Sequence, residues 1–371
     1  MTPGAARLGL PDFPWDSLAA AAHRAAEHPE GTVDLSVGTP VDPVPDVVRA
    51  ALQSVSELPG YPATHGTREL REAVVDALHR RYGVTGVPAE AVLPTIGSKE
   101  LVAWLPTLLG LGPGDVVVLP ELAYPTYEIG ARLAGATPVR LSEHDPAPVG
   151  TRLRWLNSPS NPTGSVLPAE VLAAAVAQAR ELGAVVASDE CYLSLGWTRQ
   201  PVSVLDPQVC GGNHKGVLAV HSLSKSSNLA GYRAGFVTGD PALVAALLAV
   251  RKHAGMIVAR PVQQAMVAAL RDDAHVADQR ARYARRRELL LPALHRAGLR
   301  VEQSQGGLYL WCTADQPCRE TVAWLADLGV LVAPGEFYGP AGARHVRVAL
   351  TATDERISAA AHRLGHLVGS P

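Results

Sequence analysis

The chain has 371 residues, 47% of them hydrophobic and 18% charged, with a formal net charge of −2. That much apolar material excludes intrinsic disorder, and the length suits two domains rather than one core. Without a long basic run or a stretch of about 18 apolar residues, neither a nucleic-acid partner nor a membrane partner or span is expected.

In chain order, an arm comes first. It carries Pro, Gly and one Ala-rich helix, "WDSLAAAAHRAAEH". From "VDLSVGTP" onward, short apolar runs alternate with helical patterns. "AVLPTIG", "DVVVLP", "TPVRL", "RLRWLN", "AVVASDE", "GVLAVHSLS" and "AGFVTG" read as strands, and "SKELVAWLPTLLGLG" and "PAEVLAAAVAQARELG" as amphipathic helices. Such alternation predicts an α/β fold, a mostly parallel sheet with helices on both faces and function gathered at the carboxyl ends of the strands. Near Pro241 the alternation stops. "PALVAALLAVRKHAG" opens a helical region that runs to about Gly298, and "GLYLWC" and "HVRVALT" then read as strands around the helix "CRETVAWLADLG". The expected division is an arm over residues 1–35 packing with the small domain, a large domain over 36–240 and a small α+β domain over 241–371. "RARYARRRE" (Arg280 to Glu288) reads as the solvated face of a helix. Cys191, Cys210, Cys312 and Cys318 lack CxxC spacing, which speaks against metal ligation and for reduced thiols in the cytoplasm. The N-terminus has no charged-then-apolar leader pattern.

Four segments carry candidate chemistry. In "HSLSKSSNLAGYRAGF", Lys225 follows a buried strand and lies among Ser222, Ser224, Ser226 and Ser227, with Arg233 beyond. A surface lysine is the plain alternative; a phosphate-holding loop that offers an amine is the sharper one. "NSPSNPTG" is a rigid turn that presents Asn161, or simply an Asn-Pro turn. "SDECY" puts Asp189 at a strand end, where a buried carboxylate needs a cation or strong hydrogen bonds, and Tyr192 three residues on. Gly97, Ser98 and Lys99 sit at a strand-to-helix junction, where free N–H groups bind phosphate or where Ser98 merely caps.

Taken together, in this order, these segments resemble the fold-type I aminotransferases that use pyridoxal 5'-phosphate (PLP). Ser222 to Gly235 fits that family's attachment pattern, and the likeness runs from "LSVGTP" to "HVRVALTATDE". The resemblance implies the PLP-transferase fold, with a seven-stranded, mostly parallel sheet in a three-layer large domain beside a smaller α+β domain. It implies that Lys225 bonds covalently to PLP and acts as general base and acid. Asp189 would pair with the ring nitrogen, so that the ring serves as electron sink. Tyr192 and Asn161 would hydrogen-bond the phenolic oxygen, and Tyr124 would stack on the ring. Ser98, Lys99, Ser222, Ser224 and Arg233 would hold the phosphate; Lys99 departs from the usual residue there, so its contact could run through the backbone. Gly38 and Arg347 would take the substrate carboxylate together with Asn161, although an arginine between Val346 and Val348 could also face solvent on an edge strand. Tyr61 would reach the phosphate of the neighbouring subunit, implying a homodimer with shared sites.

Several stretches, among them "LGLPDFPWDSL", "GYPATHGT", "VRKHAGM" and "HVRVALTATDER", are similar to the bacterial N-succinyldiaminopimelate aminotransferases. That subfamily implies glutamate and 2-oxoglutarate as one substrate pair, in the lysine and diaminopimelate pathway. Its substrate's distal carboxylate would need a second set of contacts, for which Arg251, Lys252 and Arg260 or Glu336 to Tyr338 are the candidates. Specificity for alanine, aspartate, aromatic amino acids or unsuccinylated diaminopimelate stays open, as does a PLP-dependent C–S β-lyase on the same fold. A PLP-binding regulator would carry an added DNA-binding domain.

Overall fold

The structure is a computed structural model that describes residues 9–55 and 57–365. Residues 1–8 of the expected arm and 366–371 of the expected small domain lie outside the described residues.

The strands run β1 (Val33–Asp34), β2 (Val92–Ile96), β3 (Val116–Pro120), β4 (Thr137–Leu141), β5 (Thr151–Asn157), β6 (Val185–Asp189), β7 (Val217–Ser222), β8 (Ala234–Gly239), β9 (Arg300–Glu302), β10 (Tyr309–Thr313), β11 (Val330–Leu331), β12 (Ala333–Pro334) and β13 (His345–Ala349). The seven strands expected from "AVLPTIG" to "AGFVTG" all form and join one sheet in the order β2-β8-β7-β6-β5-β3-β4. β8 runs antiparallel to both of its neighbours, and the other pairings are parallel.

Side-chain alternation sends each strand's residues to two different cores. On β7, Leu218 and Val220 pack with Leu101 and Leu105 of the helix Gly97–Leu108 and with Val244 and Leu247 of the helix Pro241–Ala254. Val217 and Ala219 face Leu70 and Val74 of the helix Arg68–Tyr82, Leu172 and Val176 of Ala169–Glu181, and Met266 and Leu270 of Arg260–Arg271. Three layers result. Every residue of β7 is buried, which is why it reads as a continuous apolar run. Each buried Val or Leu contributes roughly 1.5–3 kcal/mol.

A third core joins β10 and β13 to the helices Ala274–Arg296, Cys318–Asp327 and Asp354–Gly365. Its sheet has the order β12-β13-β10-β9, so β13 is an inner strand. The arm lies here: Ala25 packs on Ala326 and Leu331, and β1 pairs with β11. The expected arm helix starts as a tight 3-10 turn, Pro14–Leu18, because Pro14 opens it without a side-chain cap, and becomes α-helical over Ala19–Ala26.

The packing departs from the expected boundary at 240. The helices Pro241–Ala254 and Arg260–Arg271 cover the two faces of the seven-stranded sheet, so we place the division of the chain after Arg271. Pro241 marks a change from strand–helix alternation to helices alone, and the helices it introduces still bury their apolar sides on the large sheet.

Candidate active site

In the large sheet β4 lies outside β3 and β5 on its other side, so the chain reverses its direction of travel between β3 and β5. A crevice opens at the carboxyl ends of strands at such a point. Tyr124 follows β3, Asn161 follows β5, Asp189 ends β6, and Lys225 follows β7.

Asp189 is buried. Its Oδ2 accepts a hydrogen bond from Tyr127 Oη at 2.9 Å, and its Oδ1 accepts one from the Cys191 amide at 3.2 Å. Burial raises its pKa, against the pull of the bonds from Cys191 and Tyr127. Tyr127 is itself fixed by stacking on Trp155, centroids 4.8 Å apart. Cys191 Sγ donates to Ser98 Oγ at 3.2 Å, which ties the end of β6 to the start of the helix Gly97–Leu108. Tyr124 meets Tyr127 edge-on at 5.8 Å, and burial pushes its phenol up to about 12.

Lys225 Nζ donates to the Gly38 carbonyl. Burial pushes the lysine pKa down, and the Arg347 and Arg233 charges push the same way against Tyr309 and Cys191. Arg233 adopts a φ of +57°, a strained conformation for a bulky residue. Its guanidinium lies so close to Gly97 that a Cβ added there would sit 2.3 Å from Nη2. Gly97 is therefore needed for close approach as well as for its φ of +73°. Ser222 Oγ accepts from the Ser224 amide at 3.1 Å, and both serines are buried.

Arg347 does not face solvent. It is 2% exposed, on the inner strand β13. Nη1 donates to Asn161 Oδ1 at 2.9 Å and Nη2 to the Ser36 carbonyl at 2.7 Å. The guanidinium lies over the rings of Tyr309, at 3.9 Å, and Tyr338, at 4.9 Å. Nε is buried and unpartnered among the described residues. Two of five donors are thus spent on holding the fork, and the rest are available to a carboxylate.

Other candidates stand apart. Lys99 is exposed, with its ammonium over the Phe13 ring at 5.7 Å, so its side chain is engaged by the arm. Tyr61 is 101% exposed on its own chain. Arg251 is withdrawn as a candidate for the distal carboxylate: it is fully buried and paired with Glu100 at 2.7 Å. Glu100 in turn accepts from the Ile96 amide, so Arg251 neutralises a carboxylate at the start of the Gly97–Leu108 helix. Glu336 is exposed and bound to Arg319 at 2.6 Å. Phe337 is buried under the Arg319 guanidinium and against Trp15. Lys252 and Arg260 are exposed.

Comparison with known proteins identifies the family. The family model "Aminotransferase class I and II" matches residues 30–364. The chain belongs to that family. It is 63% identical to a probable aminotransferase of Mycobacterium tuberculosis, over 97% of this chain and 87% of that protein. It is 59% identical to a 4-dedimethylamino-4-oxo-anhydrotetracycline transaminase of Streptomyces rimosus, over 96% of this chain and 99% of the relative. Among solved structures it resembles a probable N-succinyldiaminopimelate aminotransferase of Thermus thermophilus, with 28% identity, a TM-score of 0.85, and coverage of 95% and 100% of the two chains.

Aminotransferases of this class use PLP, and the groove fits it. Arg233 presses on a helix start whose first-turn amides suit a phosphate. Asp189 is a buried carboxylate that forms no ion pair among the described residues, as a site for a cationic ring nitrogen requires. Lys225 offers a partly buried amine with a depressed pKa.

Tyr127 and Tyr309 were not singled out from the sequence. Tyr127 lies three residues after Tyr124, one helical turn on, which is the only signal it offers. Tyr309 alternates with Leu308 and Leu310 and reads as core.

Proposed function

We propose that this aminotransferase exchanges amino groups between glutamate and N-succinyl-2-amino-6-oxopimelate, in the cytoplasm. The observation that carries the amino-acid chemistry is the buried, doubly anchored Arg347, whose remaining donors suit an α-carboxylate. Support for the succinylated substrate comes from the subfamily-like stretches and from the likeness to the Thermus protein. The exposed Lys252 and Arg260 are the cations left for its distal carboxylate. The Streptomyces rimosus relative favours a second reading, in which the amino acceptor is a polycyclic 4-oxo compound.

In this reading Ser98, Ser222, Ser224, Arg233 and the first-turn amides of the Gly97–Leu108 helix, that of Lys99 included, hold the phosphate. Asp189 faces the ring nitrogen, Tyr192 and Asn161 the phenolic oxygen, Tyr124 the ring face, and Lys225 is the covalent attachment point. Bound there, PLP supplies a sink for the electrons left when the substrate α-carbon loses its proton. Burial keeps a share of Lys225 neutral, so its Nζ can take that proton and hold it for return. Arg347 and Gly38 keep the α-carboxylate still while it does so.

The test is a panel of amino donors at saturating 2-oxoglutarate. Succinyl-diaminopimelate should exceed unsuccinylated diaminopimelate in kcat/KM by at least ~10-fold, equivalent to roughly 1.4 kcal/mol. Equal efficiency overturns the substrate assignment, as does preference for alanine, aspartate, an aromatic amino acid or the polycyclic compound. The transaminase chemistry would stand in each case.

We also propose a homodimer with shared sites. Tyr61 is fully exposed, and Val37, Val41, Val47 and Leu58 are exposed apolar side chains in the same part of the sequence. Hybrid dimers made from an inactive Tyr61 variant and an inactive Lys225 variant would then contain one site free of both changes and regain part of the activity. No recovery in verified hybrids would place Tyr61 in its own subunit's chemistry.

A further inference from the structure

Tyr309 lies where three parts of the site meet. Its Oη is 3.2 Å from Tyr192 Oη, with the two rings edge-on at 5.8 Å. Its ring face lies 3.9 Å from the Arg347 guanidinium carbon. The backbone at Gly38 passes so close that an added Cβ would fall 2.1 Å from the Tyr309 hydroxyl, and the carbonyl of that same glycine receives the Lys225 ammonium. The side chain is 4% exposed and is held on the inner face of β10, which pairs with β13.

We propose that Tyr309 is a positioning residue with two separable actions. Its ring holds Arg347 flat in the orientation that receives a carboxylate, and its hydroxyl holds Tyr192 in the orientation that serves the cofactor. The inference rests on the reading of Arg347 as the carboxylate anchor and of Tyr192 as the residue at the phenolic oxygen.

The chemistry separates the two actions because they use different parts of one side chain. A guanidinium over an aromatic face is attracted by the ring quadrupole, and phenylalanine retains that attraction. A hydroxyl pair in a dry site is directional, and phenylalanine abolishes it. Burial raises the phenol's pKa, while the Arg347 and Lys225 charges and the Tyr192 hydrogen bond lower it, and the balance falls below the ordinary value. Burial pushes the Tyr192 phenol well up, and either hydroxyl of the pair can donate to the other. A core tyrosine without either role would show neither separation.

The experiment compares Tyr309→Phe and Tyr309→Leu in the PLP-loaded enzyme. It measures kcat and KM for glutamate, the affinity for glutarate (two carboxylates, no amine), and the unfolding midpoint. Tyr309→Phe should leave KM and glutarate affinity within about twofold and lower kcat by about tenfold, the scale of one hydrogen bond. Tyr309→Leu should lower kcat likewise and also weaken glutarate by about tenfold, the scale of a desolvated cation–ring contact. Tyr309→Leu with parental glutarate affinity overturns the ring's role, and Tyr309→Phe with parental kcat overturns the hydroxyl's.

Arg347→Lys separates this from the underlying reading. Unchanged glutarate affinity in that variant overturns the anchor itself; weakened affinity there, beside parental affinity in Tyr309→Leu, overturns only Tyr309. If Tyr309→Leu does not fold, a cycle of Tyr192→Phe, Tyr309→Phe and the double variant decides the hydroxyl's role. The double variant should lose no more kcat than Tyr192→Phe alone, and additive losses overturn the coupling.

Discussion

Lys225→Ala should abolish transamination, by several orders of magnitude, in a protein that keeps its fold and still takes up PLP non-covalently. General acid–base catalysis by a positioned group contributes about 10²–10⁴-fold, and loss of the covalent attachment adds to that. The chain has few competitors for the role: its other lysines are Lys99, Lys215 and Lys252, and all of these are exposed. Burial beside Arg347 and Arg233 depresses Lys225 and leaves a larger neutral fraction for nucleophilic and base chemistry. The sign follows: the limb of a pH–rate profile that reports deprotonation of this amine should lie below the ordinary lysine range, not within it. Borohydride reduction of the yellow holoenzyme should fix the chromophore on the peptide containing Lys225. Label on Lys99, Lys215 or Lys252 with none on Lys225 would remove the assignment, and Lys225→Ala with parental turnover would remove the mechanism.

Much of this site could be read in advance because its residues sit at strand ends, and the strands announce themselves. β7 is covered on both faces, so "VLAVHS" is apolar without a break, and the residues that follow it must lie at its carboxyl end. The same reasoning located Asp189 after "VVAS" and Asn161 after "RLRWLN". Tyr309 was illegible for the converse reason. An aromatic residue inside "GLYLWC" looks like core packing, and it is core packing; only the register of β10 beside β13 brings its polar tip to Tyr192 and its face to Arg347. Nothing in "VRKHAGM" separates Arg251 from Lys252 as a candidate for the distal carboxylate. Here Glu100, far away in sequence, meets Arg251 in the interior, and a buried pair of that kind is invisible until the helices are placed. For Arg347 the position of β13 inside its sheet removes the solvent-facing reading, and no local pattern encodes that position.

Asp189→Ala should reduce kcat by on the order of 10²–10³-fold, the scale seen when one preorganised electrostatic partner of a reacting group is removed. The alternative for this carboxylate is a structural salt bridge, and among the described residues it has no cation: its partners are the Tyr127 hydroxyl and the Cys191 amide. Two neutral donors do not fully offset burial, so the group is held above the ordinary carboxylate range. A bound ring nitrogen that arrives as a cation would reverse that shift, since an opposite charge within hydrogen-bond distance favours the ionised form. Asp189 and the ring nitrogen then stabilise each other's charge, and the loss in Asp189→Ala falls on proton removal from the α-carbon more than on carboxylate binding at Arg347. The expected pattern is a large fall in kcat, weaker PLP retention and a glutarate affinity close to the parental value. Asp189→Asn should resemble Asp189→Ala, because an amide keeps the shape but cannot supply the negative charge. Tyr127→Phe should cost less than Asp189→Ala, since it removes one hydrogen bond to the carboxylate, worth roughly 1.5–3 kcal/mol when the acceptor is charged, and leaves the carboxylate in place. Near-parental turnover in Asp189→Asn would return this residue to a structural role and leave the protonation of the ring nitrogen to some other group.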